Sequence, residues 1–112
     1  MSFDIDGTLE CGDPPGPVSL TMVRRAKQQG FVIGSASDRT LADQSRLWER
    51  HDITVDFVSN KHRLHEVAAQ YDCARLVHIG DTLIDELYAA RAGFDFWFAD
   101  QVPADGAAGW IF

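Results

Sequence analysis

Short apolar runs alternate with helix-like segments along almost the whole chain, and this alternation restricts the possible folds more than any other feature. Strands are expected at residues 1–4, 31–34, 54–59, 76–79 and 94–99. Helices are expected at 19–29, 41–50, 61–71 and from just after Asp81 to residue 92. Strands separated by helices of about ten residues form right-handed βαβ units around a parallel sheet. The pattern predicts one α/β domain over residues 1–112.

The expected helices carry their own start and stop signals. Ser19 is placed to cap the first helix, and Gly30 to end it. Asn60 is a plausible cap for the third helix, and Gly93 is expected to end the fourth.

Polar residues follow four of the predicted strands. Asp4 ends the first strand, Ser35 to Ser37 follow the second, Ser59 to Lys61 end the third, and Asp81 follows the fourth. In parallel α/β sheets, ligands bind beyond the carboxyl ends of the strands. We therefore expect these side chains to meet at one edge.

Four carboxylates could gather at that edge, and they predict a cation. Asp4 and Asp6 are two positions apart, so an extended segment would aim both at one side. Asp81 and Asp85 would join them, with Lys61 supplying a positive charge. Crowded like charges need a cation or a retained proton. Oxygen-rich acid clusters suit magnesium, which also binds substrate phosphate.

Four motifs in this order resemble the haloacid dehalogenase (HAD) superfamily, specifically its phosphatases. They are "DIDGTL" from Asp4, "FVIGSAS" from Phe31, "SNKHRLHEVA" around Lys61 and "HIGDTLIDELYAARAGF" around Asp81. Together they cover most of residues 3–98. The resemblance implies a three-layer Rossmann-like domain with a mainly parallel five-stranded sheet. Its strand order would be 3-2-1-4-5, with helices on both faces.

The resemblance also implies a role for each acid and for the lysine. Asp4 would be the nucleophile that forms an aspartyl-phosphate, and Asp6 the general acid and then the general base. Magnesium would be held by the Asp4 side chain, the Asp6 carbonyl and Asp81, with Asp85 bound directly or through water. Lys61 would steady Asp4 and the phosphoryl oxygens. The implied activity is magnesium-dependent hydrolysis of a phosphomonoester.

The second motif offers two hydroxyl groups for substrate binding. Ser37 lies seven residues after Gly30 and is followed by Asp-Arg, similar to the family's Thr-Gly-Arg form, so it is the favoured phosphate ligand. Ser35 remains a rival, because some members use the first serine of Ser-Ala-Ser. Arg39 is a candidate for binding substrate phosphate.

Many members of the superfamily carry a cap domain inserted after the first motif or between the second and the third. The segments between the motifs are short here, which is typical of a capless member. Residues 10–17 provide only a short flap, and one helix and one strand lie between Ser37 and Lys61. An open site suits a phosphorylated substrate that is bulky. Alternatively, a neighbouring subunit of a homo-oligomer could act as a lid. The first strand is also short for the family. The tail, 100–112, is left without a predicted position.

Several of these residues also have ordinary structural interpretations. Asp85 could be a first-turn helix acid favoured by the helix dipole, and Lys61 and Arg39 could be solvated surface residues. His62 and His65 have a spacing able to hold zinc, but solvated positions are favoured. His78 is expected to be a hydrogen-bonded core histidine.

Composition restricts the function classes. The net charge of −7 argues against a nucleic-acid or anionic-membrane surface. Two cysteines are too few for a disulfide framework, and no apolar run approaches transmembrane length, so a cytoplasmic location is expected.

The alternatives to a phosphatase are a phosphotransferase of the same superfamily and a non-catalytic phospho-acceptor or interaction domain. The order of the motifs disfavours a response-regulator receiver, which places the paired acids first but the lysine last.

Overall fold

The computed structural model describes residues 1–103 and contains a parallel five-stranded sheet. The strands are β1 (Ser2–Phe3), β2 (Gly34–Ser37), β3 (Phe57–Asn60), β4 (Val77–Gly80) and β5 (Asp95–Phe98). The helices are α1 (Leu20–Gln28), α2 (Leu41–Arg50), α3 (Leu64–Gln70) and α4 (Leu83–Ala92), with single 3-10 turns at Lys61–Arg63 and Ala99–Gln101. The sheet order is β3-β2-β1-β4-β5, and every neighbouring pair is parallel. This α/β Rossmann-like architecture confirms the predicted fold.

The sheet separates two apolar cores. Adjacent residues of a strand point to opposite faces, and Val58 and Trp97 pack into the core that α1 and α2 cover. Their neighbours Phe57 and Phe96 pack into the core that α3 and α4 cover. Helices therefore lie on both faces, as predicted.

Three of the predicted helix signals are confirmed. The Ser19 hydroxyl accepts a hydrogen bond of 3.1 Å from the backbone N–H of Met22 at the start of α1. Gly30 and Gly93 follow α1 and α4 with φ angles of 90° and 81°, in the left-handed region that glycine adopts without strain. Local sequence therefore sets these helix ends.

The second strand lies three residues later than predicted. Phe31 to Ile33 precede β2, which begins at Gly34. Gly34 is paired with Ser2 on one side and with Phe57 on the other. A strand needs hydrogen-bonded neighbours, and Ser2 and Phe57 are the first residues of β1 and β3. The residues before Gly34 therefore have no neighbouring strand with which to pair. The same register places the start of β3 at Phe57 rather than Thr54.

The predicted cap of the third helix was wrong. Asn60 makes no side-chain cap, and the predicted helix over 61–71 consists of a 3-10 turn followed by α3. The Asn60 amide instead donates to the backbone carbonyls of Ser37 (3.1 Å) and Arg39 (2.9 Å). It ties the end of β3 to the loop after β2, next to the cleft described below.

Within the described residues, no domain is inserted between the strands. The loop between β1 and α1 is held to itself by a bridge between Leu9 and Val18 and by Gly16, whose N–H donates to the Leu9 carbonyl. None of the helices in residues 1–103 has the length and apolar character needed to cross a membrane. Most of the tail, from residue 104 onward, lies outside the described residues.

Candidate active site

The carboxyl edge of the sheet holds a cleft of about 230 Å³. Four strand ends and the loop after β1 contribute to it, so residues far apart in sequence meet there. Its lining residues are Asp4, Asp6, Pro14, Ser37, Asp38, Lys61, Asp81 and Thr82. Five of the eight predicted site residues therefore share one cavity.

Three carboxylates lie close together at this edge of the sheet. Asp4 follows β1, Asp81 follows β4, and Asp85 lies in the first turn of α4. One oxygen from each lies within 4.8 Å of the others. Asp4 and Asp85 are buried, whereas Asp81 is exposed. The Asp6 side chain does not belong to this acid trio.

Gly7 makes the approach of Asp81 possible. Its φ angle is 76°, and a Cβ atom at this position would lie 2.0 Å from Oδ2 of Asp81. Its N–H donates a 2.7 Å hydrogen bond to the carbonyl of Pro14. A side chain here would strain the turn and displace one of the three acids.

Lys61 lies among the acids rather than in solvent. Its ammonium nitrogen is 3.4 Å from Asp4 Oδ2, 3.3 Å from Asp85 Oδ2 and 3.6 Å from Asp38 Oδ2. The Lys61 side chain is 7% exposed, whereas that of Asp38 is 83% exposed, so the pairs with Asp4 and Asp85 are the desolvated ones. The interpretation of Lys61 as an ordinary solvated residue is wrong.

Asp85 is completely buried and held by protein donors on both oxygens. Oδ1 lies 3.0 Å from His78 Nε2. Oδ2 accepts from the hydroxyl of Thr82 at 2.8 Å, from its N–H at 3.2 Å and from Lys61 at 3.3 Å. Thr82 and Asp85 form a reciprocal capping box at the start of α4. Asp85 thus caps the helix and also fixes Lys61.

His78 continues this buried network beneath the cleft. Its Nδ1 lies 2.9 Å from the Ser2 hydroxyl, and the ring is inaccessible to solvent. Burial lowers the pKa of His78, although the hydrogen bond to Asp85 opposes this effect. The prediction of a hydrogen-bonded core histidine is confirmed, and the contact with Asp85 links it to the site.

The electrostatics of the trio favour a bound positive charge. Burial raises the pKa of Asp4 from 3.8 to about 8, and the nearby Asp85 carboxylate adds to this rise, while Lys61 opposes it. The Asp85 pKa is lowered: burial would raise it, but the hydrogen bonds from His78 and Thr82 prevail. Burial likewise opposes the charge of Lys61, yet Asp4 and Asp85 raise its pKa. The raised pKa of Asp4 therefore favours either a retained proton or a bound cation at this crowded pair.

The acid trio fits magnesium by donor type and by charge. Asp4 and Asp81 line the cleft, whereas Asp85 is not among its lining residues and both of its oxygens already have protein partners. Magnesium binds few carboxylates and keeps several waters. Asp4 and Asp81 are therefore the ligands that the arrangement favours, with Asp85 holding Lys61 in place.

The structure separates the two candidate serines. Ser37 lines the cleft, and its Oγ accepts a 3.1 Å hydrogen bond from the N–H of Arg39. Ser35 is buried outside the cleft, where its hydroxyl donates to Gln44 Oε1 (2.7 Å) and accepts from the Trp48 indole (2.9 Å). Ser35 therefore does not reach the site, because the helix α2 covers it. Of the two predicted substrate-binding serines, the structure thus brings only Ser37 to the cleft.

Arg39 reaches across the cleft mouth to Asp6. Its Nη2 lies 2.7 Å from Asp6 Oδ1, and its Nε lies 3.2 Å from Oδ1 and 3.1 Å from Oδ2. The N–H of Asp13 also donates to Oδ1 at 2.8 Å. The hydrogen bonds from Arg39 hold the pKa of Asp6 below its usual range. Sequence reasoning placed both residues at the edge but did not predict this pair.

Other sequence signals gave partial information. The Thr82-x-x-Asp85 spacing is typical of a helix start and could have identified the capping role of Asp85. His62 and His65 are exposed, as expected for solvated positions. A larger groove of about 530 Å³ lies elsewhere, between α2 and the chain entering β3, and it shares no lining residue with the acid cleft.

No protein-family model matches this chain, and no curated protein and no solved structure matches it either.

Proposed function

We propose that this protein is a magnesium-dependent phosphomonoester hydrolase of the HAD type, acting through an aspartyl-phosphate on Asp4. The observation that carries the proposal is the juxtaposition of Asp4, Asp81 and Lys61 in one open cleft at the carboxyl edge of the sheet. A buried carboxylate next to a lysine and a magnesium-binding acid is equipped to accept a phosphoryl group. The resemblance of the four motifs supports the same interpretation.

The chemistry requires Asp4 to be ionised when the substrate binds. Lys61, 3.4 Å away, favours the carboxylate form, and it remains there because Asp85 and Asp4 hold it from two sides. Magnesium, when bound to Asp4 and Asp81, would supply the remaining positive charge and orient the phosphate. Ser37 would donate its hydroxyl hydrogen to a phosphoryl oxygen.

Two balanced steps then follow. An Asp4 oxygen bonds to phosphorus while the ester oxygen departs and takes a proton from Asp6. Asp6 next removes a proton from water, whose oxygen bonds to phosphorus and breaks the bond to Asp4. The products are the alcohol and inorganic phosphate, and both acids regain their starting forms.

The ion pair between Arg39 and Asp6 has a place in this scheme. An arginine bound to both carboxylate oxygens opposes protonation of Asp6, which the first step needs. A substrate phosphate at the cleft mouth offers Arg39 another bidentate partner. Substrate binding would thus release Asp6 for proton transfer.

The test is hydrolysis of p-nitrophenyl phosphate with magnesium, comparing the parent protein with Asp4→Asn. We expect Asp4→Asn to abolish turnover, since the amide is too weak a nucleophile to form the acyl phosphate that the Asp4 carboxylate would form. Asp72→Asn is the matched control, because Asp72 is exposed and precedes β4 at the opposite edge of the sheet. Turnover that survives in Asp4→Asn would disprove the assignment of the nucleophile.

Trapping distinguishes the hydrolase from its alternatives. Acid quenching during turnover of a radiolabelled substrate should leave a hydroxylamine-sensitive label on Asp4. Release of label to water identifies a hydrolase, whereas transfer to an added alcohol identifies a phosphotransferase. A label that persists without release would instead indicate a non-catalytic phospho-acceptor.

A further inference from the structure

A second polar cavity lies between the beginning of α3 and the second half of α4. It has a volume of about 160 Å³, and its polar lining residues are Lys61, His62, His65, Tyr88 and Arg91. Among the residues that the structure describes, no acid lines it; we name it the basic groove. In a chain whose net charge is −7, a cavity lined by cationic and hydrogen-bond-donating side chains indicates a site for an anion.

The side chains of the basic groove have donors to offer. Arg91 is exposed and makes no ion pair with any other described residue, whereas the nearby Arg63 is bound to Glu66 at 2.8 and 2.9 Å. A guanidinium without a carboxylate partner binds phosphate or carboxylate through two parallel hydrogen bonds. His62 and His65 are exposed, and each imidazole donates an N–H even when it is neutral.

The two histidines of the basic groove do not form a metal site with any described residue. A zinc site needs at least three protein ligands. The acids of the acid cleft are the one group of three or more candidate ligands found within the described residues. His62 and His65 therefore lack a third ligand, and the arginine beside them favours an anion over a cation.

The basic groove adjoins the acid cleft. Lys61 lines both cavities, and its ammonium group is held by Asp4 and Asp85 on the acid side. Tyr88 and Arg91 follow Asp85 by three and six positions on α4, which is about 5 and 9 Å along the helix axis. A single molecule of moderate length can therefore extend from the acid cleft into the basic groove.

We propose that the basic groove binds a second anionic group, phosphate or carboxylate, of the substrate whose phosphomonoester occupies the acid cleft. This inference rests on the proposed function and narrows its substrates to phosphomonoesters that carry another anion on a linker. Arg91 binds the second group with two hydrogen bonds, and His62, His65 and Tyr88 donate others. Fixing the far end of the substrate orients its phosphoester in a cleft that no inserted domain covers within the described residues.

Titration of the metal-free protein with inorganic phosphate tests the basic groove without catalysis. In EDTA the acid trio disfavours an anion in the acid cleft, so phosphate reports on the groove. With labelled histidines and constant ionic strength, we expect saturable shifts of the ring resonances of His62 and His65. His51, at the end of α2, and His78, which is buried beneath the acid cleft, should not shift.

Arg91→Gln removes the strongest donor of the groove and should weaken this phosphate affinity about three- to tenfold. Arg46→Gln is the matched control, because Arg46 is 64% exposed on α2, which covers the other face of the sheet. The control should bind phosphate as the parent protein does.

Paired substrates connect the basic groove to the acid cleft. Linear alkanediol bisphosphates of increasing length are compared with alkyl monophosphates of the same length, in the presence of magnesium. We expect the parent protein to prefer the bisphosphate over a limited range of lengths, measured as the ratio of the two kcat/KM values. Arg91→Gln should lower this ratio about three- to tenfold, and Arg46→Gln should leave it unchanged.

The two experiments separate failure of this inference from failure of the proposed function. Absence of saturable shifts at His62 and His65 overturns the anion site, whether or not p-nitrophenyl phosphate is hydrolysed. Saturable shifts with a substrate ratio that Arg91→Gln does not change would show that the groove binds free anions rather than the substrate. Saturable shifts without hydrolysis of any ester would support the anion site but overturn its assignment to a substrate, together with the proposed function.

Discussion

Replacing Asp4 by asparagine should stabilise the metal-free protein while abolishing its proposed activity. Asp4 is 3% exposed and lies 3.4 Å from Lys61, close to Asp85. Its carboxylate is disfavoured by burial and by Asp85 strongly enough to raise its pKa to about 8. An asparagine has nearly the same shape and carries no charge, so it removes this electrostatic penalty.

The size and sign of the effect follow from proton linkage. Between pH 3.8 and about 8 the folded protein binds the Asp4 proton while the unfolded chain does not. Stability contributed by Asp4 therefore falls as the pH rises through this window and is greatest below it. At about 1.4 kcal/mol per pH unit, the penalty at neutral pH reaches roughly 4 kcal/mol. The pKa of about 8 already includes the favourable effect of Lys61. The asparagine amide reproduces the hydrogen bonds of the protonated carboxyl only in part, which leaves a net gain of about 2 kcal/mol for Asp4→Asn.

Thermal unfolding in EDTA measures this gain as a function of pH. A gain of about 2 kcal/mol corresponds to a rise in Tm of about 8 °C or more for a domain of this size. The difference between Asp4→Asn and the parent should shrink as the pH falls toward 4, because the parent then carries the proton in both states. Asp72→Asn should follow the parent protein at every pH.

The result that would refute this reasoning is specific. If Asp4→Asn is no more stable than the parent at neutral pH in EDTA, the carboxylate is not penalised in the folded state. If the difference exists but does not depend on pH, its origin is packing rather than charge. Either result removes the electrostatic argument for a cation at the acid trio.

The remaining predictions concern the cation, the turn and the two serines. Millimolar magnesium should raise the Tm of the parent protein through ligand linkage, and Asp81→Asn should abolish that rise; an equal rise in the variant would exclude Asp81 as a ligand. Gly7→Ala should lower the free energy of unfolding in urea by about 1–3 kcal/mol, because of its positive φ and the collision with Asp81. Ser35→Ala should cost about 1–3 kcal/mol in the same measurement by leaving buried groups unpaired. Ser37→Ala should change stability little and lower kcat/KM for p-nitrophenyl phosphate, and the reverse pattern would identify Ser35 as the phosphate ligand.

The positions of the candidate acids could be predicted because they depend on local and topological rules. Asp4 and Asp81 lie directly after strands, and parallel strands bring their carboxyl ends to one edge. Lys61 begins the segment after β3 and arrives at the same edge for the same reason. The alternation of apolar runs with amphipathic segments likewise predicted which strands and helices form. The end of α4 at Gly93 was predictable because glycine adopts the left-handed conformation without strain.

The details that depend on register and on distant partners could not be predicted. The start of β2 at Gly34 was fixed by pairing with Ser2 and Phe57, not by its own apolar residues. The Asn60 amide donates to the carbonyls of Ser37 and Arg39 instead of capping a helix, because the fold brings these carbonyls within hydrogen-bond distance.

The amino-acid sequence by itself determined the α/β architecture, the edge at which the polar residues gather and the identity of the acids that meet there. Only the tertiary structure decided the contacts and the burial of each of them. It buried Asp85 among His78, Thr82 and Lys61, and it turned Ser35 under α2 while leaving Ser37 in the cleft. The reason is physical: strand order follows from patterns along the chain, whereas hydrogen-bond partners and burial follow from contacts between segments that the sequence keeps far apart.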